Sequence, residues 1–256
     1  MKIAAMSLLL LCTAGCAKKE PKPLRTEPWL AHPPASARPS GDATLPLTRY
    51  LLDDRSVIRF ELPSKRGALH GSISRVSGQL GIDLSDLTRT RGSIRADLGS
   101  LEIHAATSAD GGDAAVLERA RAALELPVDG GAKSAFASFE LRSVEDVAPT
   151  QIEPAPERDA GVPFNRRARF SALGDLLLHG FRVGRRAPLE AEFGFAGSRE
   201  VPETVLIRSR APFVVSLETH AVLAVAPESR AAGPTAPPAR LREAHVSVEL
   251  YATKTD

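Results

Sequence analysis

Ser56-Val57-Ile58-Arg59-Phe60-Glu61-Leu62 alternates apolar and polar residues with a period of two. Ile58, Phe60 and Leu62 fall on one face, Arg59 and Glu61 on the other. That is the pattern of a strand with one face buried. The alternation recurs from Leu69 to Ile73, from Gly78 to Asp83 and from Gly92 to Leu98. Further strand-like runs cover Ala137 to Val144, Ala168 to Leu178 and Pro188 to Phe195. Others cover Thr204 to Ser209, Phe213 to Val225 and His245 to Ala252. Runs of this kind, separated by turn residues, predict an all-β sandwich or barrel. Glycines inside several of them predict bends or bulges where the sheet curls. One segment departs. Asp113 to Leu124 is rich in strong helix formers behind an Asp cap, and predicts one short helix over one end of the barrel. A loop is expected to begin at Glu145-Asp146. Pro149 to Gly161 and Pro227 to Pro238 read as Pro-rich excursions.

Ahead of the strands stands Leu11-Cys12-Thr13-Ala14-Gly15-Cys16, which looks like a bacterial lipobox. Lys2 is a minimal positive region. Ile3 to Leu11 is apolar but shorter than the roughly 20 residues of a spanning helix. Thr13-Ala14-Gly15 supplies small residues that a peptidase groove can hold, and Cys16 supplies a thiol. The resemblance to bacterial lipoproteins implies cleavage that leaves Cys16 as the lipidated first residue. Thr13 departs from the Leu, Val or Ile that the common form carries there. The expected organisation is a signal peptide at 1–15, a lipidated Cys and Pro-rich tether at 16–47, and a barrel domain at 48–256. Lys18 to Pro23 and His32 to Gly41 hold prolines and small polar residues without helical or strand period, as an extended tether does. Export, and anchoring in the cell envelope facing the periplasm, follow from this reading. Ala17 rather than Asp after Cys16 favours the outer membrane.

The two cysteines of the chain are Cys12 and Cys16, so the expected mature domain carries no disulfide, no thiolate nucleophile and no thiolate ligand. A fold without disulfides relies on its own core, and a domain of this length buries about 70% of its unfolded-chain surface. Net charge is +2, with acidic and basic residues interspersed, which excludes the basic footprint of a nucleic-acid binder. Beyond the leader no run of 18 or more apolar residues occurs, so Cys16 is the expected membrane attachment. His32, His70, His104, His179, His220 and His245 have no HExxH or HxH spacing, and no metal or other cofactor is expected. No GxSxG, Walker or dinucleotide-binding pattern is present. The acidic pairs Asp83 and Asp86, Asp110 and Asp113, and Glu118 with Glu125 read as turn residues or a solvated helix face. No catalytic residue is assigned and an enzyme is not expected.

Several runs together resemble a known family. Tyr50-Leu51-Leu52-Asp53 with Ser56-Val57-Ile58-Arg59-Phe60 resembles the opening of the YceI-like proteins. Leu69-His70-Gly71-Ser72-Ile73 with Gly78-Gln79-Leu80, and Gly92 to Leu98 with Ser100-Leu101, resemble the strands that follow. Gly174-Asp175-Leu176-Leu177-Leu178-His179-Gly180 is the sharpest match, to "G-x-L-T-L-H-G", whose Leu178-His179-Gly180 is expected to form a turn with His179 in a hydrogen-bonding role, and Val246 to Ala252 resembles the closing strand. The order of these pieces between residues 48 and 252 carries the resemblance. It implies an extended antiparallel lipocalin-like β-barrel of about eight strands, able to enclose one apolar ligand. Family members are exported bacterial proteins, several of which carry polyisoprenoids or other long-chain amphiphiles. The chain departs from the family at Leu124 to Lys133, where an acidic and aromatic segment is usual.

The face expected to point inward carries Ile58, Phe60, Ile73, Leu80, Ile94 and Leu98 from the first half. Phe139, Leu141, Leu176, Leu178, Phe193 and Val248 come from the second. A barrel either fills its interior with such side chains or lines a tunnel with them. Core and pocket use the same residue types, so both cases stay open at this point. The resemblance implies the tunnel, and with it a lipid-anchored periplasmic barrel that binds, sequesters or transfers an isoprenoid or other long-chain amphiphile. The alternative is a ligand-free scaffold or stress-related interaction module with a filled core.

Overall fold

The computed structural model of the chain describes residues 47–64, 67–104, 118, 121, 135–154, 163–196, 200–222 and 242–255. All but residues 118 and 121 lie in or beside strands of one sheet. The expected signal peptide, Cys16 and the tether up to residue 46 fall outside the described residues. So do Leu124 to Lys133 and most of both Pro-rich excursions. Of the expected helix only Glu118 and Arg121 are described; both are helical, and Arg121 Nη1 lies 3.7 Å from Glu118 Oε1.

Among the described residues twelve strands form the sheet. They are β1 (Thr48–Leu52), β2 (Val57–Ser64), β3 (Gly67–Ile73), β4 (Val76–Ile82), β5 (Arg91–Asp97) and β6 (Leu101–His104). The others are β7 (Phe136–Ala148), β8 (Phe164–Leu178), β9 (Phe181–Phe195), β10 (Thr204–Ser209), β11 (Phe213–Ser216) and β12 (Glu243–Lys254). All pairings are antiparallel. The path β1-β4-β5-β7-β8-β9-β10-β12 returns to β1 through Tyr50↔Lys254 and Leu52↔Ala252, so eight strands close a ring. Of the sandwich or barrel that the alternation predicts, the structure is the antiparallel eight-stranded barrel that the resemblance implied. Closure leaves these eight without a free edge. The other half of β12 leaves the ring and pairs with β2, which continues to β3 and β6, while β11 also pairs with β12.

This branching divides the interior. One core surrounds Tyr50, Leu80, Ile82, Ala191, Phe193 and Leu250, inside the ring. The second surrounds Leu62, Leu69, Ile73, Leu98, Ile103 and Val215, under the β2-β3-β6 arm. Tyr50 is wholly buried in the first, and its hydroxyl donates to the Pro202 carbonyl at 2.9 Å. Burial raises its pKa above the ordinary phenol range. Ser56 bridges the strand ends: its Oγ donates to the Tyr251 carbonyl at 3.2 Å and accepts from the Tyr251 amide at 3.0 Å. The opening residues of the resemblance thus hold β1 and β2 to β12.

Three sequence expectations are corrected. β7 runs through Glu145 and Asp146 to Ala148 instead of ending there. Register shifts between Leu141 and Ser143 and between Glu145 and Ala148 let the long strand bend, and Asp146 takes φ 51. The Asp146 carboxylate then accepts from Ser171 Oγ at 3.0 Å and pairs with Arg186. β9 begins at Phe181 rather than Pro188, because a dense set of arginines hides its alternation from a reading by hydropathy. Of the run expected from Phe213 to Val225, which is described to Val222, the strand ends at Ser216. A 3-10 turn, Glu218–His220, ends at Ala221 with φ 52. The Val222 amide donates back to the Leu217 carbonyl at 2.9 Å, and this reversal buries Leu217, His220 and Val222 together.

Candidate functional site: an apolar cavity in one half of the barrel

An inward face two residues apart on every strand brings apolar side chains from many strands to one axis. In the half bounded by the β2-β3-β6 arm they do not meet. They enclose a cavity of about 220 Å³. Ile58 and Phe60 of β2, Ile73 of β3 and Ile94 of β5 line it, with Leu98 from the turn after β5. Phe139 of β7, Leu176 and Leu178 of β8 and Val248 of β12 complete the part of the wall named from sequence. The polar neighbours take the opposite face. Arg59 Nη1 donates to Glu249 at 3.0 Å, and Arg182 Nη1 donates to Glu140 at 3.2 Å, both exposed.

Leu80, Leu141 and Phe193 differ. Their parity is inward, yet they do not line the cavity. Leu80 and Phe193 belong to the filled core of the ring, and Leu141 packs against it. Side-chain parity fixes the face and not the position along the axis. Sequence reading also missed walls supplied by small residues and by the late strands: Ala137, Ala172, Phe213, Leu217 and Val246. The alternation around Val246 and Phe213 carried a usable signal; the alanines carried none.

Two glycines shape the space. Phe60 lies directly opposite Gly71, and a Cβ on Gly71 would stand 2.2 Å from the Phe60 ring. A Cβ on Gly174 would stand 2.5 Å from the Phe139 ring. Each phenylalanine thus lies down over a bare backbone instead of reaching across the barrel. Gly174 stands opposite the β7 bulge between Leu141 and Ser143, as expected of a strand glycine, and both Gly71 and Gly174 also leave room for a ring where a side chain would clash.

Among the described residues one charged residue lines the cavity, Arg185 of β9. It sits on the inward set of that strand, between Val183 and the buried Ala187. Its Nη1 donates to the Gly184 carbonyl and its Nη2 to Thr219 Oγ1, each at 3.3 Å. Its Nε is buried with no hydrogen-bond partner, and burial lowers its pKa. Beside it His220 is wholly buried, with Nδ1 3.2 Å from the Phe181 carbonyl and Nε2 without a partner. Burial, and next the Arg185 charge, push the His220 imidazole below its ordinary range, against the opposing pull of the Leu178 and Phe181 carbonyls. His179 keeps the turn role its sequence suggested: it takes φ 51 in the β8-β9 hairpin, with Nδ1 3.1 Å from the His220 carbonyl.

Buried carboxylates, not expected from the sequence, occur at Asp83 and Asp175. Burial pushes the Asp83 pKa up, but hydrogen bonds from Ser85 and from the Ser85 and Asp86 amides, together with Arg89 at 3.4 Å, outweigh it and lower it. Asp83 therefore stays ionised in its turn. Asp175 is covered by Arg142 and Arg182 on the outer face. Neither faces the cavity. Among the described residues no group of three or more His, Cys, Asp or Glu could hold a metal.

No family model matches this chain, and no curated protein matches it. Among solved structures it is similar to a polyisoprenoid binding domain from Saccharophagus degradans, implicated in plant cell wall breakdown. Identity is 15% and the TM-score 0.48, over 82% of this chain and 99% of that one. It is also similar to BcnA of Burkholderia cenocepacia, at 11% identity and TM-score 0.48, over 79% of this chain and 99% of that one.

Proposed function

We propose that this protein is a YceI-like carrier barrel that holds the hydrocarbon chain of an isoprenoid or other amphiphile in the cavity under its β2-β3-β6 arm. The observation that carries this reading is the cavity itself, whose walls are apolar side chains but for Arg185. The cavity is open on one side, so an apolar chain that enters it covers apolar walls otherwise exposed to water, and each methylene moved out of water contributes about 0.8 kcal/mol. At roughly 15–30 Å³ per water-sized group, the space takes on the order of ten chain carbons. A longer chain would extend past the described walls. The work assigned to the protein is sequestration or transfer of the chain, with no bond made or broken. Attachment to the envelope through lipidated Cys16 would place the barrel beside the membrane that supplies such molecules.

Mass spectrometry of an organic extract of the natively purified protein tests the reading. The expected result is a co-purifying long-chain species in the wild type, depleted in Leu178→Trp, whose indole would occupy the cavity of a barrel that still folds. An empty wild type that melts substantially lower as Leu178→Trp would overturn it in favour of a filled scaffold, where overpacking costs on the order of 1–3 kcal/mol.

A further inference from the structure

Arg185 is out of place by every rule that shaped the strand around it. The inward positions of β9 after it are Ala187, Leu189, Ala191, Phe193 and Phe195, all buried and all apolar. The neighbouring arginines on the outer face have carboxylate partners: Arg182 pairs with Asp175 and Glu140, Arg186 with Asp146. Arg185 has none among the described residues. Among the described residues its polar contacts are one backbone carbonyl and one hydroxyl, both long at 3.3 Å, and its Nε has no partner. A guanidinium partly withdrawn from water without a counter-ion is costly, and leaving it unpaired is costlier than pairing it. The residue stands beside the β8-β9 hairpin and the 3-10 turn that carries Thr219 and His220, and its side chain borders an otherwise apolar cavity.

We infer that Arg185 reads the head group of the bound molecule, and that the ligand is a single-chain amphiphile with an anionic head, a carboxylate or a phosphate. The hydrocarbon chain lies along the apolar walls, and the anion supplies the counter-charge that the fold withholds. The planar guanidinium suits both heads, since it offers parallel N–H donors to two oxygens. Thr219 Oγ1 already donates to the Ser216 carbonyl at 3.0 Å and accepts from Arg185, so the guanidinium is the donor that a head would meet. The assignment rests on the carrier reading above and narrows it from apolar molecules in general to anionic ones.

The test uses the full chain loaded with N-phenylnaphthylamine, a neutral apolar dye, and displaces it below micellar concentration with dodecanol, dodecanoate or dodecyl phosphate. The wild type is expected to release dye at a concentration at least about tenfold lower for an anion than for dodecanol, the scale of one charge-assisted hydrogen bond. Whichever anion acts at lower concentration names the head. In Arg185→Met the anions are expected to lose this advantage. In Arg185→Lys, which keeps the charge and loses the fork, part of it is expected to remain. Equal potency of all three in the wild type would overturn the head-group assignment and leave the cavity reading standing. An advantage that persists in Arg185→Met would overturn the role of Arg185. No displacement by any of them, and no dye bound, would overturn the carrier reading itself and this inference with it.

Discussion

At the scale of single residues, the decisive contrast is between glycines that look alike in the sequence. Gly71 and Gly184 both sit inside strands flanked by alternating residues. A Cβ at Gly71 meets the Phe60 ring at 2.2 Å and the Glu102 carbonyl at 2.6 Å, while a Cβ at Gly184 meets nothing within 4 Å. Gly71→Ala must therefore lift Phe60 into the cavity and disturb the β3-β6 ladder. It is expected to lower stability by about 1–3 kcal/mol in thermal or denaturant unfolding and to reduce ligand occupancy. Gly184→Ala is expected to be neutral or to stabilise by about 0.4–1 kcal/mol, through a less flexible unfolded chain. A Gly71→Ala protein as stable as the wild type would show that the ring has another place to go.

At the scale of elements, the β8-β9 hairpin is the longest local unit of the barrel. Its pairing runs from Phe164↔Phe195 to Leu178↔Phe181 without a slip. The two turn residues, His179 at φ 51 and Gly180 at φ 81, both take left-handed backbone, the conformation that matches the twist of the flanking strands. Leu-His-Gly was legible as a turn because Gly pays no steric penalty there. Gly180→Val places a β-branched residue at that φ and is expected to cost about 1–2 kcal/mol. An unchanged unfolding midpoint would mean that the hairpin tip can adopt another turn. The outer faces of the same strands carry facing pairs, Arg167 with Glu192 and Arg169 with Glu190. Such exposed pairs contribute little stability, about 0–1 kcal/mol each, and act mainly to keep the polar face in register.

At the scale of the whole molecule, the reading joins a barrel to an anchor. The tether and Cys16 belong to the proposed function, and their test is separable from the cavity. A Cys16→Ser protein is expected to escape diacylglyceryl addition and signal cleavage, which intact mass and membrane fractionation would register. Normal processing of that variant, with retention in the membrane fraction, would sink the anchor. Stable attachment needs more than one acyl chain, so the mass of the modification also checks the mechanism.

Legibility followed from how far along the chain each decision reaches. Period-two alternation in Ile58-Arg59-Phe60-Glu61-Leu62 determined, by itself, a strand, its buried face and an all-β fold, since the pleat puts neighbours on opposite sides whatever they pack against. The His179-Gly180 turn was equally local. Ring closure through β1 and β12 joins residues about as far apart as Tyr50 and Lys254, and the β2-β3-β6 arm sets how far apart the opposing walls stand. Only that long-range geometry put Leu80 and Phe193 into a filled core while Phe60 and Leu178, of the same residue types and the same parity, came to face empty space. It likewise turned Arg185, one arginine among several in β9, into a charge on an apolar wall. Whether an inward side chain meets a partner depends on the distance to the opposite strand, and that distance is a property of the closed barrel rather than of any stretch of its sequence.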